Sequence, residues 1–508
     1  MVDLRLTFRT LVWNHGGKLA EVSLVYLFSV SAARMLGVQL NGTYILLMTF
    51  VQTGLLVTSF GLETTLHRFV PRLGSDRAAL RGLLRPLLMV RLLLLLLLVC
   101  LLYGGLPFLF SFFSVQSFPL SVLLLLCLYA FLNGLNNFFG AVLVGQSRTK
   151  LLSLLRVIVR IGELAGIVFY GKDGLTVEEV LAVITVGAMA GMLAHGTVSW
   201  LDIGGKSDRG AIRPVFSFAG TMWLNAFVVF ILGKQMDILL LGKFAVTVNE
   251  IAFYDVAMML VQVIVIGTTV GLGGVMLSIF SVFAKDYPDG LRSYWRFWVK
   301  ITILLIVPLL MILISDAEVV IGFVYTSSYI GSRNLVRILA CFVILERLFG
   351  SGINADALLA IGKQKVLLGI SIVSGIINIV VAFVLIPSYG AAGAIIATGT
   401  GNCIASMLMA LALSRYESIV IPFFFWLRVI IVSGIACAVP QALVAMDTPF
   451  GLGCHVALFV FLWAVAAKGI GLFSENDLRW FEQMNPTVLR IAYFFRIRPT
   501  PRRIITLP

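Results

Sequence analysis

Long apolar runs separated by short polar gaps fill the chain from about residue 14 to residue 473. Many runs reach about 18 residues, the length needed to cross ~30 Å of hydrocarbon at ~1.5 Å per residue. Leu92–Leu98 is the purest stretch. Within the runs apolar residues are continuous. Strands of a membrane barrel instead alternate over about 10 residues. Backbone groups in lipid must find partners within the protein, so helices are the reading that remains. Breaks fall on turn signals: Gly104-Gly105, Gly171-Lys172-Asp173-Gly174, Gly204-Gly205, Pro288-Asp289-Gly290 and Pro387-Ser388-Tyr389-Gly390. They set about fourteen helices, at residues 14–36, 43–66, 86–106, 119–142, 151–170, 178–200, 214–241, 250–280, 295–314, 332–354, 365–386, 390–413, 422–445 and 451–473. The predicted fold class is therefore an all-α polytopic membrane protein.

Composition agrees. The 508 residues are 60% hydrophobic and 12% charged, against about 25% charged in a soluble domain. The net charge of +14 would suggest nucleic acid in a soluble protein. In this chain the basic residues cluster in alternate gaps, so topology explains them and no nucleic-acid partner is expected. With these boundaries 32 of the 38 Lys and Arg residues fall on one side. That side is expected to be cytoplasmic, with both termini on it. The first apolar run lacks a small-residue cleavage site and is too long for a signal peptide. The six cysteines and four histidines are scattered, so neither disulfides nor a metal site is expected.

The chain also repeats itself. Tyr44, Met48, Val51, Gln52, Thr58, Gly61 and Leu62 recur 210 residues later as Tyr254, Met258, Val261, Gln262, Thr268, Gly271 and Leu272. Asn133-Gly134-Leu135-Asn136 pairs with Ser351-Gly352-Ile353-Asn354, and Gly145-Gln146 with Gly362-Lys363. Two six-helix lobes are expected, residues 1–205 and 206–415, followed by two extra helices at 416–473. An even number of helices per copy gives parallel repeats about an axis along the membrane normal, an arrangement of alternating-access transporters. Residues 474–508 mix aromatics with arginines and read as a basic amphipathic tail on the cytoplasmic leaflet.

Several segments carry a resemblance. They are Ala33-Arg34-Met35-Leu36-Gly37 with Asn41-Gly42-Thr43-Tyr44, Gly61-Leu62-Glu63 with Arg68-Phe69-Val70, Leu241-Gly242-Lys243-Phe244 with Ile251-Ala252-Phe253-Tyr254, and Phe323-Val324-Tyr325 to Tyr329. The most specific runs from Gly362-Lys363-Gln364-Lys365 through Asn378 and Leu385-Ile386-Pro387-Ser388-Tyr389-Gly390 to Gly393-Ala394-Ile395-Ile396-Ala397-Thr398. Together they resemble the polysaccharide transporter, Wzx-type O-antigen flippase family of the multidrug/oligosaccharidyl-lipid/polysaccharide (MOP) exporter superfamily. The resemblance implies a V of two lobes in a bacterial inner membrane. It implies an undecaprenyl-diphosphate-linked glycan as substrate, with membrane lipids, a polysaccharide polymerase and glycosyltransferases as partners.

Such a substrate calls for cations in the membrane. Ionisable residues are costly there and mark function by default. In the fifth helix Arg156, Arg160 and Glu163 share one face. The arginines are read as diphosphate ligands and Glu163 as the group that releases Arg160, with a structural ion pair as the alternative. Arg91 is either a ligand or a side chain snorkelling to the interface. Arg34 either receives the headgroup or anchors a helix end. Lys234 and Asp237 are read as an i, i+3 pair, Lys234 with Arg337 as further substrate ligands. Asp237, Asp255 and Glu346 are coupling or gating candidates, Asp255 with a helix-capping alternative. Arg333 with Arg337, Glu346 with Arg347, Glu63 with His67 and Lys18 with Glu21 are otherwise structural pairs, and His195 a satisfied structural group. No cofactor is expected; H⁺ or Na⁺ coupling is the expected drive. Gly204-Gly205-Lys206-Ser207 resembles half a phosphate loop, but Trp200 stands where the first glycine belongs. A multidrug exporter of the same fold is the runner-up, and a membrane glycosyltransferase or polymerase, neither a transporter, is the remaining alternative.

Overall fold

The computed structural model describes residues 4–470 apart from 74–75, 113–117, 172–173, 204–212, 232, 245–246, 270–275, 277–279, 282–283, 285–287, 418 and 444–447. Among the described residues the helices form fourteen columns. They are α1 (residues 4–36), α2 (residues 38–57, resuming at Leu62–Phe69), α3 (Arg77–Phe112), α4 (Leu120–Gly145), α5 (Thr149–Tyr170), α6 (Val177–Ile203) and α7 (Arg213–Ile231, resuming at Lys234–Phe244). The rest are α8 (Val248–Thr269), α9 (Pro288–Ser315), α10 (Arg333–Leu348, resuming at Ile353–Ala360), α11 and α12 (together Gln364–Glu417, parted at Gly390), α13 (Phe423–Leu443) and α14 (Pro449–Ile470). The tail read as amphipathic lies outside the described residues, as do residues 270–275 and 277–279 of the eighth predicted helix.

Nine helical elements among the described residues are long and apolar enough to cross a membrane. The α1–α2 and α11–α12 elements each contain two columns. The columns that miss this measure are α5, which carries the charged triad, and α7 and α10, each broken by glycine. Apolar residues cover both faces of the helices. On α3, Leu84, Leu87 and Leu95 are fully buried while Met89, Leu93 and Leu96 are more than half exposed. In water that exposed face would drive association; in a bilayer it meets lipid. The chain is a multi-pass membrane protein.

Contacts give the columns their direction. Gly17 packs on Ser153, Glu21 reaches Arg156, and Met35 packs on Gly171, so α1 and α5 run the same way. Gly17, Gly145 and Ser153 mark the basic end; Met35 and Gly171 mark the far end. At the far end α1 turns into α2 on one residue, Gly37 (φ 72°, ψ 174°). α11 turns into α12 in the same way at Gly390 (φ 53°). Only glycine holds such backbone angles cheaply. These turns correct two expected loops. Pro387-Ser388-Tyr389 lies within the helix, and Asn41-Gly42-Thr43 is helical, with Asn41 buried. The Glu250 carboxylate accepts the N–H of Ala391 at 2.9 Å, capping α12 after its turn.

Packing joins α4 with α6, α1 with α5 and α3 with α4 among the first six columns, and α9 with α10 and α13, and α10 with α11–α12, among the rest. Asn136 of α4 contacts His195 of α6, and Asn354 of α10 holds Trp295 of α9 and the Ser406 carbonyl of α12. These two asparagines are partners in the sequence repeat.

Candidate functional site

A cavity of about 870 Å³ lies between α2, α3, α4 and α5 on one side and α7 on the other. It follows α2 from Gln52 to His67, about 20 Å at helical rise. Its charged and titratable lining is Glu63, His67, Arg91 and Arg156. Between them stand Ser59, Thr64, Asn133, Asn137, Gln52 and Gln235.

Helix α2 is interrupted at residues 58–61, where Phe60 (φ 45°) and Gly61 (φ 64°) are left-handed. The interruption leaves carbonyls without helical partners. Arg91 supplies one. Its guanidinium donates to the Thr58 carbonyl at 2.9 Å, to the Gly134 carbonyl at 3.2 Å and to Glu63 Oε1 at 3.1 Å. Arg91 is 1% exposed, so it does not snorkel. The expected Glu63–His67 pair is replaced by Glu63–Arg91, because the break in α2 turns Glu63 toward α3.

On α5, Arg156 reaches the cavity over Gly140 and pairs with Glu21 at 3.6 Å. Arg160 is off the cavity wall and donates to Glu163 at 2.5 Å. Glu163 is buried against Gly187, where any side chain would collide with the carboxylate. The triad spaced along one helix therefore divides: Arg156 faces the cavity, and Arg160 with Glu163 forms an ion pair beside it.

In the second half the expected Lys234–Asp237 pair does not form. Lys234 pairs with Asp255 across to α8. Asp237, buried, accepts from the Tyr254 and Thr398 hydroxyls, each at 2.5 Å. Its Oδ1 has no hydrogen-bond partner among the described residues. Asn378 reaches Thr398 at 3.5 Å. Spacing put Lys234 and Asp237 on one helix, but α8 and α12 supply better-placed partners for each.

The remaining candidates hold the frame. Arg34 donates to the Phe323 and Val324 carbonyls at 3.2 and 3.4 Å, at the end of a short helix, Ala317–Val324. Arg337 donates to the Ile314 carbonyl at 3.0 Å, and Arg333 pairs with Glu318 at 2.5 Å. Glu346 accepts from the Ser351 hydroxyl and Arg347 donates to the Ser351 carbonyl, so both bind the break in α10. Lys18 pairs with Glu21 at 3.1 Å, and His195 Nδ1 lies 2.6 Å from Asn136.

Cross-contacts join the halves along the bundle. At the far end the Tyr329 hydroxyl donates to the Ala33 carbonyl at 2.8 Å, beside the Arg34 contacts. Toward the basic end Trp223 donates to the Val57 carbonyl at 2.9 Å and Arg68 sits 4.2 Å over the Phe218 ring. Between these, Gln235 donates to Gln52 at 3.3 Å. Nothing in the sequence assigned chemistry to Gln235, Glu250, Asn133 or Asn137, and Gln52 stood out only as a repeat match. Carboxamides four residues apart in an apolar helix were the available signal.

The fold resembles those of solved transporters of the MOP superfamily. The fold is similar to the lipid II flippase MurJ in an inward closed conformation, with a TM-score of 0.73 and 14% identity over 90% of this chain and 98% of that one. It is similar to an inward-facing multidrug resistance MATE family transporter, with a TM-score of 0.64 and 15% identity over 79% and 94% of the two chains. A MOP superfamily transporter from Pyrococcus furiosus gives a TM-score of 0.58 at 14% identity over 82% and 98%. At these identities the likeness is one of fold. Residues 32–334 match the family model described as polysaccharide biosynthesis protein, and the chain belongs to that family. No curated protein matches the chain in sequence.

Proposed function

We propose that this protein is a flippase that carries an undecaprenyl-diphosphate-linked oligosaccharide repeat unit from the cytoplasmic to the periplasmic leaflet of a bacterial inner membrane. The observation that carries the reading is a cavity inside an apolar helical bundle that holds Arg156, Glu63, His67 and four carboxamides on its wall, with cross-contacts between the halves along the bundle. A diphosphate bearing sugars cannot cross hydrocarbon unaided. A cavity that opens first toward one leaflet and then the other solves that problem. Family membership in polysaccharide biosynthesis and the shared fold with a lipid II flippase support the same substrate class.

Residues 1–205 and 206–415 act as the two lobes, and the basic end faces the cytoplasm. Arg156 meets the diphosphate as it enters, and Arg160 exchanges Glu163 for the headgroup a turn deeper. Asp237, which accepts two hydroxyls and has no cationic partner among the described residues, serves as the coupling site for H⁺ or Na⁺. Lys234 and Asp255 hold α7 to α8 beside it. The polymerase and glycosyltransferases of the same assembly line act on the product and supply the substrate.

The test is depletion in the native host with quantification of undecaprenyl-diphosphate-linked glycan by leaflet. Accumulation of complete units on the cytoplasmic face with loss of surface polymer is expected. Unchanged lipid-linked glycan and polymer overturn the proposal and favour a drug exporter of this fold.

A further inference from the structure

The cavity is graded along its length. Arg156 crosses α4 at Gly140, its Nη2 3.3 Å from where a Cβ would stand. Seven residues further from the basic end, about 10 Å at helical rise, stands Asn133, with Asn137 one turn nearer on the same face. Gln52 from α2 and Gln235 from α7 complete a tier of four carboxamides drawn from both halves, and Gln52 and Gln235 bond to each other at 3.3 Å. The Arg91 guanidinium borders this tier, but its charge is taken up by Glu63 and two carbonyls. Apart from this Arg91–Glu63 pair, no charged side chain lines the cavity at this depth among the described residues.

From this arrangement we infer that the carboxamide tier is a recognition site for the first sugars of the glycan, and that it takes uncharged sugars bearing hydroxyl or acetamido groups. The inference rests on the flippase reading. Each carboxamide presents two donors and an acceptor. Sugar hydroxyls and acetamido groups likewise donate and accept, so the two sets satisfy each other when water is displaced. A uronic acid at the same depth would bring a carboxylate away from water with no uncommitted cation to meet it. Asn137 and Asn133 lie about 5 and 10 Å along α4 from the point where Arg156 crosses it, so one substrate reaches both, diphosphate at the arginine and sugar at the amides. Opening of the cavity separates Gln52 from Gln235, which frees both amides for the glycan in one state and pairs them again in the other.

The experiment uses the full chain in nanodiscs and three probes: undecaprenyl diphosphate, the same lipid bearing N-acetylglucosamine, and the same lipid bearing glucuronic acid. Native mass spectrometry reads the affinities. The unmodified protein is expected to bind the acetamido form at least about tenfold more tightly than the bare lipid, the equivalent of one or two net hydrogen bonds. The glucuronic form should bind no more tightly than the bare lipid. Combined Asn133→Ala and Gln235→Ala substitutions should bring the ratio of acetamido to bare lipid close to one. An acetamido form no tighter than the bare lipid, or a glucuronic form that matches it, overturns the inference while the flippase reading stands. A ratio unmoved by the substitutions does the same. Failure of all three lipids to bind the unmodified protein removes both.

Discussion

Arg91 Nη1 lies 2.9 Å from the carbonyl oxygen of Thr58, the first residue after α2 loses its helical ladder. A buried cation thus completes a helix on the neighbouring column. The interruption in α2 survives in an apolar setting because its orphan carbonyl has found a charged donor, the stronger kind of hydrogen bond.

Arg91→Ala should therefore destabilise the protein by about 3 kcal/mol or more, since the Thr58 and Gly134 carbonyls each lose a bond from a charged donor worth about 1.5–3 kcal/mol. Thermal unfolding in detergent checks it. Arg91→Lys should recover little, since an ammonium cannot reproduce the fork that spans Thr58, Gly134 and Glu63. An unshifted melting midpoint for the alanine variant would argue against this role.

At the far end, Arg34→Ala removes two hydrogen bonds from the contact between α1 and the Ala317–Val324 helix. Bonds from a charged donor are worth about 1.5–3 kcal/mol. Conformers open at the far end should gain population by roughly ten- to a hundredfold. Spin-label distances across the far end measure the shift; an unchanged distribution would return Arg34 to the substrate-ligand role.

Asp237→Asn keeps the shape of the side chain and removes its charge. Transport in proteoliposomes should lose its dependence on the H⁺ or Na⁺ gradient while the variant still folds. A gradient response equal to that of the unmodified protein would rule out Asp237 as the coupling site.

Arg160→Ala is expected to abolish transport and also to strand Glu163, which is buried. Combining it with Glu163→Gln should restore thermal stability without restoring transport. The split separates headgroup binding from packing: if transport returns with stability, Arg160 is a structural partner alone.

The fourteen columns were legible because lipid imposes one rule on every span, that of length and apolarity. Side-chain partners were less so. Helical spacing put Arg160 and Glu163 together correctly, since they share α5. The same reasoning failed for Lys234 and Asp237. Their partners Asp255, Tyr254 and Thr398 come from α8 and α12, and spacing within one helix says nothing about neighbours. Arg91 was legible as an intramembrane cation. Its occupation was not, because the break in α2 that makes Thr58 an acceptor rests on left-handed angles at Phe60 and Gly61. The grading of the cavity needed the fold, since Gln52, Asn133 and Gln235 are far apart in sequence.

Gly37 and Gly390 each reverse the chain in a single residue. A hairpin with no slack cannot splay, so α1–α2 and α11–α12 each travel as a stiff fork. The bending that any rocking motion demands is then displaced to the glycine-broken columns α2, α7 and α10, which act as the compliant members of an otherwise rigid truss. Lengthening either fork by a few flexible residues would let its two prongs slip, and work done at one face would no longer be delivered to the other.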